Sequence, residues 1–209
     1  MAYYCKLALL MIYEPQHAFT LIKRRRARTS ILVPILLLVL CMAVHVARIY
    51  ITHYPLAAST PEDANLANEL LSLMLPLLSF TVGLYLVTTI RDGETTFRET
   101  LTAVAYSMVP YILLTLPIAL LSNIMTLEEQ GLFQAMQTLV LGWCILLILY
   151  SVMHMNSYSL AQTIFIALMG IFAILFVWAV LFLLYILGDK LISFITEVIN
   201  EYRMAAGGL

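Results

Sequence analysis

Long apolar segments alternate with short polar connections along this chain. Five segments each offer about 20 mostly apolar residues, the length that an α-helix needs to cross the hydrocarbon core of a bilayer. These segments are residues 29–49, 70–90, 101–121, 132–152 and 164–187. The pattern predicts an all-α membrane protein with five transmembrane helices and short loops.

Both ends of the chain contain a shorter segment with apolar residues at helical spacing, which is typical of helices lying in the membrane interface. In residues 190–203, Leu191, Ile195 and Tyr202 recur on one helical face, with polar residues on the other. Before the first span, a similar segment is interrupted at Pro15, because proline removes a helical hydrogen bond. We therefore predict three parts: a cytoplasmic interfacial arm with a basic cluster (1–28), a five-helix transmembrane domain (29–187), and an external amphipathic helix with a tail (188–209).

The positive charges are concentrated before the first span. The chain has 11 Lys and Arg residues, and most of them fall on one side of the predicted membrane. Because cytoplasmic loops collect Lys and Arg, the N-terminus is predicted in the cytoplasm, and five crossings then place the C-terminus outside. The basic cluster either sets this topology or attracts anionic lipid. It consists of Lys23, Arg24, Arg25, Arg26 and Arg28.

The composition agrees with a membrane protein and limits the other function classes. Hydrophobic residues make up 63% of the 209 residues and charged residues 11%, with a mean hydropathy of +0.96. A soluble domain has roughly 45–50% apolar and about 25% charged residues, so membrane lipid is the first predicted partner. The net charge of −1 gives no indication of a nucleic-acid partner, and the three isolated cysteines are typical of buried thiols.

Few residues in the spans are suited to chemistry. His45 and Arg48 lie in the outer third of the first predicted span, and the interiors of the other four contain no Asp, Glu, Lys or Arg. Metalloprotease, serine-hydrolase and glycine-rich phosphate-binding motifs are absent from the sequence. We therefore predict that the protein is not an enzyme and uses no cofactor or metal. The missing carboxylates also argue against ion-coupled transport.

Proline and aromatic residues inside the spans are the main candidates for functional positions. A proline in a transmembrane helix frees a carbonyl and kinks the helix, which either shapes a cavity or sets a packing angle. For the aromatic residues we favour packing between helices over a position in the interfacial belt. The candidate helix-interface or cavity residues are Tyr85, Tyr106, Ser107, Pro110, Tyr111 and Trp143.

Several motifs follow one another in a particular order along the chain. They are Glu14-Pro15 before the basic cluster, the loop 93–100, Tyr106 with Pro110, Trp143, and residues 154–157 before a long apolar helix. This series resembles the Yip1 domain family. That family has a glycine-containing cytoplasmic loop before a helix that bears a tyrosine and a proline four residues apart. The resemblance covers nearly the whole chain from residue 11 onward.

The resemblance implies a five-helix membrane protein and supplies no catalytic residues. Eukaryotic members belong to the early secretory pathway and associate with Rab-type GTPases and with one another. They carry a long cytosolic N-terminal region, whereas only residues 1–28 precede the first predicted span here. We therefore do not extend GTPase binding to this chain. The compact form is similar to the prokaryotic branch and indicates a prokaryotic plasma membrane.

Three functions remain open. The leading hypothesis is a non-enzymatic scaffold or accessory subunit that binds other integral membrane proteins, such as the permease of a transport complex, or further copies of itself. It rests on the short loops, the lack of intramembrane charge, and helices rich in residues suited to helix–helix contact. The alternatives are a carrier or channel for a neutral or amphipathic solute, lined by the second and third helices, and a membrane-shaping or lipid-interacting protein.

Overall fold

The computed structural model of the protein describes residues 2–24, 31–52, 56 and 65–206. These residues form eight α-helices and one short 3-10 helix, and they contain no β-strand. The predicted all-α fold is confirmed. The helices are α1 (Ala2–Tyr13), α2 (Pro15–Arg24), α3 (Leu32–Ile51), α4 (Leu66–Ile90), α5 (Phe97–Ser107), α6 (Val109–Leu121), the 3-10 helix (Leu127–Glu129), α7 (Gln130–Asn156) and α8 (Leu160–Ala206).

The described residues contain five candidate membrane spans, as predicted. They are formed by α3, α4, α5 with α6, the 3-10 helix with α7, and α8. The observed bounds differ from the predicted ones where a capping residue begins a helix earlier. The Asn65 side chain accepts a hydrogen bond from the Ala67 amide (3.1 Å), so α4 begins at Leu66 rather than at residue 70.

The third span consists of two helices. α5 ends at Ser107, Met108 has φ −83° and ψ −1°, and α6 begins at Val109 with Pro110 in its first turn. Proline has no amide hydrogen, and its ring collides with the carbonyl four residues back, which interrupts a helix. In the first turn of a helix, backbone amides have no acceptor within the helix, so a proline there costs no helical hydrogen bond. Pro110 therefore explains both the end of α5 and the start of α6.

α5 and α6 form the centre of the bundle, with α3, α4 and α7 packed around them. In this span, 56% of the most apolar 18-residue stretch is buried inside the protein, whereas the corresponding share in the other four spans is 17–33%. Residues 99–111 are buried throughout, and several of them are small, including Ala103, Ala105 and Ser107. Small residues let neighbouring helices approach closely, which is the main source of attraction between helices in lipid.

α8 packs mainly against α4, and the two helices approach very closely at Gly83. A Cβ atom built on Gly83 lies 2.5 Å from the Ile174 Cγ1 atom and 2.9 Å from the Gly170 carbonyl oxygen. Carbon atoms in contact are normally about 3.5–4.0 Å apart. The absence of a side chain at Gly83 therefore permits this approach.

The N-terminal arm, which comprises α1 and α2, packs onto the bundle. Met11 and Phe19 are buried in an apolar cluster that also contains Tyr106 and Met155. The predicted interruption at Pro15 is the junction between the two helices, since proline is well placed in the first turn of α2. The arm therefore covers one end of the central span.

α8 is a single helix of 47 residues. At about 1.5 Å per residue it is roughly 70 Å long, more than twice the thickness of the hydrocarbon core. We expected a separate amphipathic helix after residue 187, but α8 continues through residues 188–206 without interruption. The sequence of α8 contains no proline, so it has no strong helix breaker.

Candidate functional site

Two connections meet at the end of the bundle that carries the arm. They are the α4–α5 loop (91–96) and the α7–α8 connection (157–159), and this end is called the arm side below. Each contains one residue whose backbone is in the left-handed region: Asp92 has φ 54° and Ser157 has φ 58°. Such angles are uncommon for residues other than glycine and are found mostly in tight turns. Together with α2, the two connections form what we term the arm-side cluster.

The buried side chain of Asn156 joins the two connections. Its Oδ1 atom accepts hydrogen bonds from the Thr95 amide (3.2 Å) and the Thr95 hydroxyl (2.9 Å). Its Nδ2 atom donates to the Val152 carbonyl (3.1 Å). Thr96 and Glu99 form a capping box that begins α5. One amide side chain therefore holds the start of α5 against the end of α7.

Gly93 is enclosed by the same group of residues. Its amide donates a hydrogen bond to the Thr88 carbonyl (2.8 Å). A Cβ atom built on Gly93 lies 2.7 Å from that carbonyl, 2.8 Å from the Tyr158 hydroxyl and 2.9 Å from the Asn156 Oδ1 atom. A side chain here collides with three polar atoms at once, so the close approach of the loop requires glycine.

Polar residues of α2 and the end of α7 attach the arm to this cluster. The Lys23 Nζ atom lies 3.3 Å from the Glu94 Oε2 atom and donates a hydrogen bond to the Ser157 hydroxyl (2.9 Å). The Thr20 Oγ1 atom lies 2.9 Å from the His154 Nε2 atom. Partly exposed ion pairs contribute only about 0–1 kcal/mol. The main effect of the Lys23 contacts is therefore on where the arm sits.

A second polar group lies inside the membrane domain, towards the opposite end of the bundle. The His45 Nδ1 atom lies 2.7 Å from the Tyr111 hydroxyl, and the His45 Nε2 atom lies 3.4 Å from the Glu69 Oε2 atom. Arg48 donates a long hydrogen bond (3.4 Å) to the Gln137 side-chain oxygen. We term these five residues the far-side cluster. It connects α3, α4, α6 and α7.

The contacts of the far-side cluster were not predicted from the sequence. His45 and Tyr111 are 66 positions apart. Glu69 precedes the second predicted span (70–90), whereas in the structure it lies in the first turn of α4. The available signal was His45 itself, since an ionisable side chain within a span is a functional candidate by default. An imidazole between a hydroxyl and a carboxylate is suited to joining helices through hydrogen bonds.

The described residues contain no group of three or more His, Cys, Asp or Glu side chains suited to hold a metal ion. Cys41 and Cys144 are buried and free, as the sequence predicts. The side chain of Cys5 lies outside the described residues. The side chains of both clusters form the hydrogen bonds and ion pairs given above.

The order of the motifs along the chain also matches a known family. A model of the Yip1 domain matches residues 9–182. The chain belongs to the Yip1 domain family. The resemblance seen in the sequence is thereby confirmed, and the protein is an integral membrane protein of this family. The same comparisons found no match among curated proteins or solved structures.

The Yip1 domain buries four of the predicted helix-interface residues, and it places them in different surroundings. Tyr106 packs against the arm, and the Ser107 hydroxyl donates to the Ala103 carbonyl (2.9 Å). Pro110 is buried at the start of α6, and Tyr111 belongs to the far-side cluster. These residues contribute to packing at several points and do not converge on one site.

The other predicted residues lie nearer the surface of the Yip1 domain. Tyr85 is half-buried and packs edge-to-face against Phe97, with ring centroids 5.5 Å apart. Trp143 is 43% exposed, because the adjacent Cys144 takes the core-facing position on α7, and its packing role stays a prediction. In the basic cluster, Lys23 has the partners given above, Arg24 is exposed, and Arg25, Arg26 and Arg28 lie outside the described residues.

Two of the cavities in the described part of the Yip1 domain open at the arm side. One, of about 530 Å³, lies between α2 and α7, and its lining includes His17 and His154. The other, of about 300 Å³, lies between the end of α4 and the start of α8, and its lining includes Arg91 and Phe165. Neither is lined by the tyrosines or the serine that we considered for a transport path.

Proposed function

We propose that the protein is a non-enzymatic scaffold or accessory subunit that binds another integral membrane protein through α8. The main support is the exposure of this helix. Only 17% of its most apolar window is buried inside the protein, the lowest share among the five spans of the described chain. Since α8 packs mainly on α4, most of its circumference is open to lipid or to a partner.

The open side of α8 is apolar and rich in aromatic residues. Phe172, Phe176 and Phe182 are 67%, 71% and 64% exposed. Lipid tails are as apolar as these side chains, so helices associate in a bilayer through close packing rather than through hydrophobicity. Aromatic rings offer a large contact area and favourable ring–ring geometries for such packing. This surface is therefore well suited to a second transmembrane helix.

The proposed partner is an integral membrane protein, such as the permease of a transport complex, or further copies of this chain. The proposed setting is a prokaryotic plasma membrane with the N-terminus in the cytoplasm and the C-terminus outside. The distribution of Lys and Arg supports this orientation. In it, the arm-side cluster faces the cytoplasm and the end of α8 reaches the exterior.

Affinity purification of the natively expressed protein in mild detergent, with quantified stoichiometry, tests this proposal. We expect a partner at a fixed ratio. The triple variant Phe172→Ala, Phe176→Ala and Phe182→Ala is expected to lose it, because these changes remove the aromatic contact surface while leaving the contacts with α4 in place.

A matched control is available on α7, where Leu139, Ile145 and Leu146 are 70%, 57% and 59% exposed. Their triple alanine variant removes a similar apolar area from another helix and is expected to retain the partner. Retention by both variants would contradict a role for α8. Recovery of a lone monomer from the unmodified chain would contradict the proposal as a whole.

The two alternative functions receive less support from the geometry. Of the residues considered for a transport path, Tyr106, Ser107 and Tyr111 are buried and Tyr85 is half-buried. None of them lines either arm-side cavity. For lipid interaction, the observations are the amphipathic α2, which has Lys23 and Arg24 in its last turn, and the length of α8. Both of these features are compatible with the scaffold function, so we treat lipid contact as an additional property of the scaffold and not as a competing function.

A further inference from the structure

We propose that the arm-side cavity between α4 and α8 binds the phosphate group of a membrane phospholipid, with Arg91 as its principal ligand. The cavity has a volume of about 300 Å³. It lies where α4 ends, at Ile90, and so at the boundary between hydrocarbon and water where lipid headgroups are found. Its lining is Arg91, Tyr158, Ala161, Gln162, Phe165 and Ile166.

Arg91 is poised to bind an anion. Its guanidinium carbon lies 5.1 Å from the centre of the Phe165 ring, which is a cation–π contact. Among the described residues, the Arg91 side chain has no hydrogen bond or ion pair. A guanidinium offers five N–H donors in a planar fork that matches two phosphate oxygens, and stacking on a ring does not consume them.

Two neutral polar side chains complete the polar part of the cavity. The Tyr158 hydroxyl donates to the Arg91 carbonyl (3.2 Å), which fixes the backbone of the arginine. A tyrosine hydroxyl is uncharged at neutral pH. Partial burial raises the pKa of Tyr158 further, with an additional contribution from the nearby Asp92 carboxylate. The Gln162 side-chain oxygen accepts from the Ser159 amide (2.9 Å), which leaves the Gln162 NH₂ group to donate.

The charge of the lining also favours an anion. The six lining residues include one cation and no carboxylate. Of the two acidic residues in the adjacent loop, Glu94 is paired with Lys23, whereas the Asp92 carboxylate lies near Tyr158 but outside the lining. A phosphate diester, with a single negative charge, therefore matches the one unpaired cation of this cavity.

The apolar surroundings favour a phospholipid over a free phosphate ion. Phe165 and Ile166 line the cavity beside its polar groups. Further along the same two helices lies an apolar groove of about 250 Å³, whose arm-side end is formed by Leu86 and Ala173. Leu86 is five residues from Arg91, or about 7.5 Å along the helix axis. An acyl chain attached to a phosphate at Arg91 is long enough to reach this groove.

Native mass spectrometry of the full chain in maltoside detergent, with added phosphatidylglycerol of 16-carbon chains, tests the assignment. We expect one tightly bound lipid per protein. Arg91→Gln is expected to lower its occupancy about tenfold or more, because charge-assisted hydrogen bonds to phosphate are stronger than neutral ones. Phe165→Leu keeps the cation but removes the ring, and a smaller loss of about threefold is expected.

Arg98→Gln is the matched control, because Arg98 is also an exposed arginine at the arm side, on α5. It is expected to leave lipid occupancy unchanged. Each variant is first checked for an unfolding temperature equal to that of the unmodified protein, and Phe165→Leu supplies a second test if Arg91→Gln fails this check. Equal occupancy in Arg91→Gln and Arg98→Gln would overturn the proposal.

Two further ligands separate the possible sources of the phosphate. Diacylglycerol with the same chains lacks the phosphate and is expected to bind at least about tenfold more weakly. Inorganic phosphate lacks the chains and is expected not to displace the lipid. If diacylglycerol bound as tightly as the phospholipid, Arg91 would not be recognising a phosphate group. Displacement by inorganic phosphate would assign the cavity to the free ion and overturn the lipid assignment.

Discussion

Replacement of Gly83 by alanine adds one methyl group at the closest approach of α4 and α8. The new Cβ atom lies 2.5 Å from the Ile174 Cγ1 atom and 2.9 Å from the Gly170 carbonyl oxygen. Ile174 can change its rotamer, but the Gly170 oxygen belongs to the backbone of α8. The two helices must therefore move apart to accommodate the methyl group.

The expected cost follows from two opposing effects. Overpacking of a close contact typically costs about 1–3 kcal/mol. Helices that are pushed apart by about 0.5–1 Å lose a quarter to a half of the dispersion energy of each contact along their interface. Alanine is favoured over glycine in a helix interior by about 1 kcal/mol. Gly83→Ala should therefore change the free energy of unfolding by roughly 0–2 kcal/mol in the destabilising direction.

Two glycine-to-alanine controls isolate the steric part of this effect. A Cβ atom on Gly170 lies 3.7 Å from the nearest α4 backbone atom, an ordinary contact, and a Cβ atom on Gly142 meets nothing within 4 Å. Both controls gain the same helix propensity without the collision. Gly83→Ala should therefore be about 1–3 kcal/mol less stable than either control.

The assay uses thiols that the protein already contains. Cys41 and Cys144 are buried and free, so a thiol-reactive fluorogenic dye reports their exposure as the protein unfolds in detergent. A Cys5→Ala background removes the third thiol. If Gly83→Ala unfolds at the same denaturant concentration as Gly142→Ala, the close contact between α4 and α8 is wrong.

Two further predictions concern the arm-side cluster. Gly93→Ala should destabilise the protein by about 1–3 kcal/mol, because the new methyl group disrupts the buried hydrogen bonds around it. In the same assay, Gly131→Ala should show no such loss, because its Cβ atom meets nothing within 4 Å. Equal stability of the two variants would contradict the loop geometry. Since burial raises the pKa of Tyr158 above the ordinary value of 10.0, the unfolded chain loses this proton first, so stability should fall as the pH rises above about 10. Tyr158→Phe should reduce this pH dependence of the unfolding free energy, and an unchanged slope would show that the Tyr158 hydroxyl does not cause it.

The five spans could be predicted because the bilayer imposes a simple rule. A spanning helix must satisfy its own backbone hydrogen bonds and offer about 20 apolar residues, and both requirements are visible in sequence. The continuity of α8 was not predicted, because the apolar period after Lys190 is compatible with a separate amphipathic helix. Only the lack of a proline between Leu160 and Ala206 indicated that the helix continues.

Contacts within the two clusters were beyond the reach of sequence patterns. The motif order identified the loop at Gly93 and the segment at Asn156, but not that Thr95 and Asn156, 61 positions apart, bind each other. Likewise, Lys23 was predicted only as part of a basic cluster, and its pairing with Glu94 depends on how α2 folds back onto the bundle. Spacing along the chain predicts which residues share a helix face, not which helices meet.

The tyrosine–proline pair of the Yip1 domain has a physical basis in this structure. In an α-helix the amide of each residue donates to the carbonyl four residues back, so Pro110 has no N–H for the carbonyl of Tyr106. The helix is interrupted between them, where the Met108 amide donates to the Ala105 carbonyl at 3.3 Å. The interruption separates Tyr106, which packs against the arm, from Tyr111, which contacts His45 in the far-side cluster. The missing Tyr106–Pro110 hydrogen bond thus accounts for the break between α5 and α6.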